Sequence, residues 1–442
     1  MLQEIKRLFD PRGLLSPGVV LDEDPQAHLV DLKSAPVVED EVERCVECGF
    51  CEPVCPSRDV TTTPRQRIVL RRETERARLA GDTDLVAELE SGYVHDGVDT
   101  CAVDGMCQTA CPVLINTGDL VRRLRAERPQ RAVSAAWTVA ARHWSATTAA
   151  AGAALDLAGR LPARTVERAT DLARRVGDPD TVPRWSADLP GSGGARVPAS
   201  LPTGDADAVL FSSCTGTMFG PADPGATEAF ARLCKRAGVR LVVPDRLPSL
   251  CCGTPWKSKG HHAGYQSMTD RVLPALLTAS RGGQLPIVCD AASCTEGLEV
   301  MAERAVAAGA EYAALRFVDS VAFARNTLLD RLTVTGSAGS IAMHRTCSTT
   351  ELGINDDLDA IAQRIGSEVY EPADWGCCGF AGDRGMLHPE LTASATEPEA
   401  AEITARDFDV YVSANRTCEL GMSRATGKPY VHILEALERC TR

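Results

Sequence analysis

The chain has 442 residues, of which 18 are cysteine, and its 47 basic and 60 acidic residues leave a formal net charge of −13. This length predicts two to four hydrophobic cores and excludes a small disulfide scaffold. The acidic balance excludes a protein that coats nucleic acid through a basic surface, and no apolar run reaches the roughly 20 residues that span a bilayer. Because the first residues also lack the apolar core of a signal peptide, we expect a cytoplasmic protein with reduced thiols, still able to dock peripherally at the inner face of a membrane.

A ferredoxin-type motif opens the first of two cysteine zones. Its four cysteines, the last followed by proline, have the spacing C-x2-C-x2-C-x3-C-P and are Cys45, Cys48, Cys51 and Cys55. At this spacing a short loop can hold three corners of an iron–sulfur cluster, while the fourth cysteine commonly binds a different cluster. A zinc knuckle typically uses two paired CxxC units, so the motif favours iron–sulfur ligation.

A second copy of this motif keeps the register but has Asp104 in the place of its second cysteine. If the last cysteines cross over, cluster 1 is held by Cys45, Cys48, Cys51 and Cys111, and cluster 2 by Cys55, Cys101, Cys107 and Asp104. A carboxylate binds iron less tightly than a thiolate does, so we hypothesise that the second 4Fe-4S cluster has a labile corner and converts to a 3Fe-4S form. The alternative is that Asp104 only forms a turn with Gly105 and that water completes the site.

Helix and loop signals predict the structure of two stretches that contain no cysteine. Between the two motifs, Thr63-Pro64-Arg65-Gln66 has the form of a capping box and predicts a helix to about Leu79, whose arginines we interpret as a solvated face. Residues 120–205 contain no cysteine. They begin with an Ala- and Arg-rich helical pattern and end in a Pro-, Gly- and Ser-rich stretch that we interpret as a linker.

The second cysteine zone is an internal repeat. Each copy begins with a strand-like run that ends in cysteine, continues through a second strand and a Cys-Cys-Gly triplet, and closes with a third strand and a last cysteine. The matching first runs are DAVLFSSC and GSIAMHRTC, and the matching last runs are LPIVCDAASC and DVYVSANRTC. The alternation predicts an α/β fold in which two duplicated units have short parallel sheets and carry their cysteines on loops at the strand ends.

Each unit offers four cysteines from three loops. The sets are Cys214, Cys251, Cys252 and Cys294 in unit 1, and Cys347, Cys377, Cys378 and Cys418 in unit 2. Adjacent cysteines reach neighbouring irons of a cluster more easily than one tetrahedral ion, and the glycine after each pair permits a positive φ. These sites could therefore hold either a further cluster or zinc, and both interpretations stay open. Outside the pattern, we predict that Cys234, Cys289 and Cys440 are buried thiols and that His344, His261 and His262 are structural.

These stretches resemble a known group of oxidoreductases. ERCVECGFCEPVCPSRDVTTTPRQR and CAVDGMCQTACPVLINTGDLV are similar to the C-terminal iron–sulfur portion of FAD-linked D-2-hydroxyacid dehydrogenases of the D-lactate and D-2-hydroxyglutarate type. CCGTPWKSKG and CCGFAGDRGMLHPEL resemble the cysteine-rich units of that group, of the iron–sulfur subunits of glycolate oxidase and anaerobic glycerol-3-phosphate dehydrogenase, and of heterodisulfide reductase. Heterodisulfide reductase units have a fifth cysteine, whereas Ala291 and Asn415 stand at the matching positions here, which argues against a five-cysteine cluster.

The first twenty residues resemble another domain. IKRLFDPRGLLSPGVVL is similar to the last strand and tail of an FAD-linked oxidase domain, with Ser16 where that family usually has asparagine. The resemblance implies that the flavin and the hydroxyacid pocket lie on a missing domain or a separate subunit. We therefore assign neither FAD-binding nor catalytic residues to this chain.

Together these patterns predict a helical ferredoxin-type domain joined to two α/β units. The predicted parts are a tail at 1–35, the ferredoxin-type domain at 36–127, the helical segment and linker at 128–205, unit 1 at 206–332 and unit 2 at 333–442. The predicted function is electron transfer from the flavin of a D-2-hydroxyacid oxidoreductase, through 4Fe-4S clusters, to a quinone, a cytochrome or an electron-transfer flavoprotein. The alternatives are a zinc-stabilised interaction module and a reductase, similar to heterodisulfide reductase, that acts at the Cys-Cys-Gly site.

Overall fold

The tail and the linker differ from the sequence interpretation. The structure, a computed structural model, describes residues 1–18, 21, 24–26, 29, 36–128, 131–201, 205–221 and 224–441, so about a third of the predicted tail at 1–35 lies outside the described residues. Leu2–Phe9 forms a helix (α1), because its apolar residues recur at helical spacing, and residues 19 and 20 of the stretch that resembles a last strand and tail lie outside the described residues. The Asp10 carboxylate at its end accepts hydrogen bonds from the backbone N–H groups of Leu14 and Leu15 at 2.9 and 2.7 Å.

The predicted ferredoxin-type domain is helical in its described part. Thr63 Oγ1 accepts a hydrogen bond from the Gln66 N–H at 3.3 Å, and Gln66 Oε1 accepts one from the Thr63 N–H at 2.9 Å, which confirms the capping box. The helices are α2 (Pro64–Ala80), α3 (Thr83–Tyr93), α4 (Met106–Thr109) and α5 (Thr117–Glu127), with a π-helical turn at Val94–Asp99. Ile68, Leu120 and Val121 form the centre of a small core between them.

Three helices follow, as the Ala- and Arg-rich pattern indicates: α6 (Arg131–Arg142), α7 (Trp144–Arg160) and α8 (Ala163–Val176). The next stretch is packed and is not the linker that its composition suggests. Trp185 and Leu189 are buried, and the buried Arg196 guanidinium donates hydrogen bonds at 2.8 Å to the carbonyl oxygens of Ser212 and Leu247.

Within the described part of the chain, no helix combines the length and apolar character that a bilayer crossing requires.

Two four-stranded parallel sheets form the rest of the molecule and confirm the predicted duplication. Their strand orders, β2-β1-β3-β4 and β6-β5-β7-β8, are equivalent. The first sheet contains β1 (Ala208–Phe211), β2 (Leu241–Val242), β3 (Ile287–Cys289) and β4 (Phe317–Asp319). The second contains β5 (Gly339–Met343), β6 (Gly366–Tyr370), β7 (Val410–Ser413) and β8 (Tyr430–His432).

Helices cover the sheets and join the two units. In unit 1 they are α9 (Thr215–Met218), α10 (Ala226–Arg236), α11 (Thr254–Lys259), α12 (His262–Ala279), α13 (Ala292–Ala307) and α14 (Ser320–Phe323). In unit 2 they are α15 (Cys347–Glu351), α16 (Asn355–Ile365), α17 (Arg384–Leu387), α18 (Pro389–Thr404), α19 (Arg416–Thr426) and α20 (Ile433–Cys440). Phe230 of α10 and Leu437 of α20 belong to one continuous core that contains strands of both sheets, so the units are packed together and not strung apart.

The ferredoxin-type domain is hydrogen-bonded to both units. Arg125 donates to the Cys101 carbonyl oxygen at 2.8 Å within its own domain and to the Ser258 carbonyl oxygen of unit 1 at 2.7 Å. From unit 2, the buried Arg384 donates to the Asp99 carbonyl oxygen at 2.8 Å. The loop that carries Cys101 is thus fixed from both sides.

The replacement Gly260→Ala is expected to loosen this packing. Gly260 has a φ of +75°, and a Cβ there would lie 2.6 Å from the Ala126 backbone nitrogen of α5, which cannot yield as a side chain could. Left-handed strain and the backbone clash together should cost about 2–4 kcal/mol. Gly238→Ala is the matched control, because Gly238 has a φ of +71° and open space around it. Calorimetry of the anaerobic protein should show a clearly larger fall in melting temperature for Gly260→Ala; equal falls would contradict the packing argument.

Candidate metal centres

The structure brings together the four cysteines that the sequence assigned to cluster 1. They line one cavity, whose walls include Pro64, Ile68 and Ile115. The loop curls around this cavity because Glu47 and Gly49 have positive φ values of 58° and 85°. Burial raises the pKa of Cys51 to about 11, so a metal bound here must displace thiol protons.

The residues assigned to cluster 2 line a second cavity. They are Cys55, Cys101, Cys107 and Asp104. In contrast to the exposed Cys48 of the first site, all three of these cysteines are buried. Burial raises the pKa of Cys107 to about 12, and its sulfur lies 3.3 Å from the Thr117 hydroxyl. The two cavities therefore match the crossover arrangement, in which each last cysteine joins the other motif.

A buried arginine lies beside the second cavity, although the sequence placed it on a solvated face. Arg67 is only 1% exposed, whereas Arg76 and Arg78 of the same helix are exposed as expected. Its guanidinium donates to the Gly97 carbonyl oxygen and the Ser57 hydroxyl, each at 2.8 Å, and Nη1 lies 3.7 Å from the Cys55 sulfur. The site thus has a fixed positive charge that no sequence pattern distinguished from its exposed neighbours.

Asp104 lies between two sites. Val103 and Gly105 beside it both have positive φ, so the predicted turn is present. Its Oδ2 atom is buried without a hydrogen-bond partner among the residues that the structure describes. Burial raises the pKa of Asp104, and a hydrogen bond with Cys377 of unit 2 opposes this shift. The carboxyl group therefore belongs to the second cavity and also contacts the cysteines of unit 2.

The four cysteines of each unit converge at the carboxyl ends of the strands. The first cysteine of each set follows β1 or β5, and the last lies in the first turn of α13 or α19, directly after β3 or β7. Hydrogen bonds with Cys251 and Cys294 lower the pKa of Cys252 well below its usual value, and hydrogen bonds with Cys377 and Cys418 do the same for Cys378. The two units thus repeat the positions of their cysteines and the lowered pKa of the second cysteine in each pair.

The glycine after each cysteine pair has the predicted positive φ. The angle is +84° at Gly253 and +67° at Gly379. A Cβ on Gly253 would lie 2.7 Å from both Tyr265 and Met301, so a larger residue would push the cysteine loop away from its supporting helices. Glycine is therefore required here both for backbone conformation and for close packing.

All eight cysteines of the two units, together with Asp104, line one chamber of about 730 Å³. Its wall comes from the helical segment and from the stretch interpreted as a linker, and it includes Trp137, Trp144, Leu155, Trp185 and Leu189. Trp144 and Trp185 are buried, and neither indole N–H has an acceptor within the described part of the chain. The sequence missed this chamber, because its walls come from four separate parts of the chain.

The remaining residues of interest, apart from His344, lie outside the two sets of four cysteines. Cys234, Cys289 and Cys440 are buried, as predicted. His261 stacks on Trp137, with ring centroids 5.7 Å apart. Asp383 forms a salt bridge with Lys259 of unit 1 at 2.7 Å and so ties the two units together at the edge of the chamber.

The donor sets fit iron–sulfur clusters. Each ferredoxin-type cavity is lined by cysteines on tightly curled loops, and the three cysteines of the second cavity are also buried away from solvent. The cysteines of units 1 and 2 also converge, with Cys378 and Cys418 sulfurs 3.4 Å apart. The side chains of both ferredoxin-type cavities and of the cysteine sets in units 1 and 2 are therefore compatible with metal binding.

Comparisons with known proteins agree with this arrangement. Residues 41–115 match the 4Fe-4S dicluster domain, and residues 208–299 and 341–423 match the cysteine-rich domain. Over 414 residues, the sequence is 22% identical to the glycolate oxidase iron–sulfur subunit of Escherichia coli (strain K12), covering 89% of this chain and 93% of that protein.

The chain is an iron–sulfur protein that joins a ferredoxin-type 4Fe-4S domain to two cysteine-rich domains. This composition, with similarity along most of the chain, fits the iron–sulfur subunit of an FAD-linked oxidase and confirms the resemblance found in the sequence.

Proposed function

We propose that the chain is the electron-transfer subunit of a complex that oxidises a D-2-hydroxyacid at a flavin on a partner subunit. The observation that carries this proposal is the position of Asp104, which lies in the second ferredoxin-type cavity and contacts Cys377 of unit 2. This contact supports a continuous path from the first cavity, through the second, to the chamber between the units. The relative named above is a glycolate oxidase subunit, so glycolate and D-lactate are the first substrates to test.

The chain's own residues insulate and tune this path. When bound, the clusters supply single-electron transfer. The apolar packing around the second cavity excludes water, and the Arg67 charge favours a reduced state beside Cys55. The first cavity, with its exposed Cys48, is the one that faces solvent, which suits it to receive electrons from the partner flavin. We place the protein in the cytoplasm, where thiols stay reduced.

The chamber is suited to binding a small organic electron acceptor, and we propose that this acceptor is a quinone and not a cytochrome or an electron-transfer flavoprotein. The unit cysteines lie inside it, where a protein acceptor could not come into direct contact with them. Its walls are mainly apolar, and the indole N–H groups of Trp144 and Trp185, which have no acceptor among the described residues, are suited to carbonyl oxygens. A quinone offers two such carbonyls on an apolar ring.

An anaerobic preparation tests this function. The purified chain should contain iron and acid-labile sulfide, and its visible absorbance should bleach with dithionite and recover with menadione. Glycolate or D-lactate should bleach it only when the flavin-containing partner, isolated with the tagged chain from its native cells, is present. Zinc without sulfide would contradict electron transfer, bleaching by substrate with the chain alone would contradict the separate flavin, and no recovery with menadione would contradict the quinone.

A further inference from the structure

Unit 2 contains a buried histidine–glutamate pair that unit 1 lacks. His344 and Glu399 are 0% and 1% exposed, and His344 Nδ1 lies 2.9 Å from each Glu399 carboxylate oxygen. The other ring nitrogen, Nε2, is buried and has no hydrogen-bond partner among the described residues. Burying a polar or charged pair without partners for all its atoms destabilises the folded protein, so a ligand that binds the remaining nitrogen would explain why this pair is present.

The duplication identifies what unit 1 has in the same places. The strand registers pair Val209 with Ile287 and Ala342 with Tyr411, so Phe211 of unit 1 matches His344 of unit 2, each three residues before its first cysteine. At the same distance after the cysteine pair, the buried Leu273 of α12 matches Glu399 of α18. Two apolar side chains therefore take the place of the pair, and the rest of the cysteine pattern is unchanged.

The pair is directed at the cysteines of unit 2. A ring nitrogen of His344 and the sulfurs of Cys378 and Cys418 all lie within 4.8 Å of one another. Because Glu399 holds Nδ1, Nε2 is the nitrogen available to a metal. The two sulfurs are 3.4 Å apart, close to the roughly 3.8 Å between two thiolates bound tetrahedrally to one zinc ion at about 2.3 Å. This spacing is that of ligands on a single ion.

The two cysteines of the adjacent pair have different neighbours. The Cys378 sulfur lies 3.4 Å from the Cys418 sulfur and near a ring nitrogen of His344, whereas Cys377 is hydrogen-bonded with Cys347 and contacts the Asp104 carboxyl group. The two adjacent cysteines therefore do not have to bind the same metal ion. One of them completes a site with the histidine, and the other lies toward the ferredoxin-type domain.

We propose that unit 2 binds one zinc ion through His344 Nε2, Cys378 and Cys418, with a fourth thiolate from Cys347 or Cys377. Glu399 is a positioning residue that orients the imidazole, as carboxylates behind zinc-bound histidines commonly do. At the matching positions unit 1 has Phe211 and Leu273, which offer no metal ligand, so the two repeats bind metal differently. This site lies at the chamber end of the proposed electron path, and its zinc can be measured separately from the iron of the ferredoxin-type cavities.

Zinc analysis and X-ray absorption of the anaerobically purified full chain test the site. Wild type should contain about one zinc per chain, with one nitrogen at about 2.0 Å and three sulfurs at about 2.3 Å. His344→Phe, which copies Phe211 of unit 1, should remove the nitrogen and lower zinc affinity, and Glu399→Gln should keep the nitrogen but weaken zinc binding about 10- to 100-fold.

Two matched variants show whether these losses are specific. His432→Asn changes another buried histidine of unit 2, and Cys294→Ala removes a thiol from unit 1; both should retain zinc with unchanged ligation. Four results would overturn the site: wild type without zinc, a shell of sulfur alone, nitrogen retained in His344→Phe, or zinc lost in Cys294→Ala. The dithionite-reduced EPR signals of the ferredoxin-type domain report separately on the proposed electron path, so either proposal can fail alone.

Discussion

Replacing Cys111 by alanine is expected to abolish cluster 1 while leaving cluster 2, although Cys111 belongs to the second motif. Cys55→Ala should do the reverse. The reason is the crossover, since Cys111 lines the cavity of Cys45, Cys48 and Cys51, and Cys55 lines the cavity of Cys101 and Cys107. Each variant should lose about three to four irons per chain, because the removed thiolate is one of only three or four that hold its cluster.

Iron and sulfide counts, with EPR of the dithionite-reduced protein, measure this result. Cys234→Ala is the control, because it also removes a thiol but Cys234 is buried in the core and lines neither cavity. It should retain all iron. If Cys111→Ala instead removes the signal that Cys101→Ala removes, each motif holds its own cluster and the crossover is wrong.

Replacing Arg67 by methionine is expected to lower the midpoint potential of cluster 2. The guanidinium is buried, with Nη1 3.7 Å from the Cys55 sulfur, so its removal disfavours an added electron. At a separation of about 7 Å and an effective dielectric constant of about 20, the lost attraction corresponds to a shift on the order of 100 mV. Redox titration followed by EPR would measure it.

The controls for this shift separate charge from packing. Arg67→Lys keeps the charge and should retain most of the potential. Arg72→Met removes a second buried arginine from the same helix, but Arg72 already pairs with Glu47 at 2.8 Å beside the first cavity, so cluster 2 should be unaffected. A shift with Arg67→Lys as large as with Arg67→Met would contradict the electrostatic explanation.

Local patterns predicted the repeated features well. The matching runs around Cys214 and Cys347 located both sheets, because strands and turns depend mainly on residues close in sequence. The capping box likewise located the start of α2, and the helix ends one residue beyond the expected Leu79. The cysteine spacings also grouped the ferredoxin-type candidates that the structure brings together.

Features that depend on distant contacts could not be read from the sequence. Arg67 resembles the exposed arginines of its helix, and only the carbonyl and hydroxyl groups of other segments explain its burial. Trp185 and Leu189 lie in a stretch whose composition indicates a linker, yet they are buried against unit 2. The contact of Asp104 with Cys377 joins residues far apart in sequence, so no spacing rule could reveal it.

The unequal depth of the two ferredoxin-type cavities has a consequence for maturation and repair. Cys48 reaches the surface, so lost iron can be replaced at the first cavity in the finished protein. Arg125 and Arg384 fix the loop that carries Cys101, a residue of the second cavity, to the two units. We therefore expect iron to enter the second cavity before the domains dock, and repair of oxidative damage there to require partial unfolding.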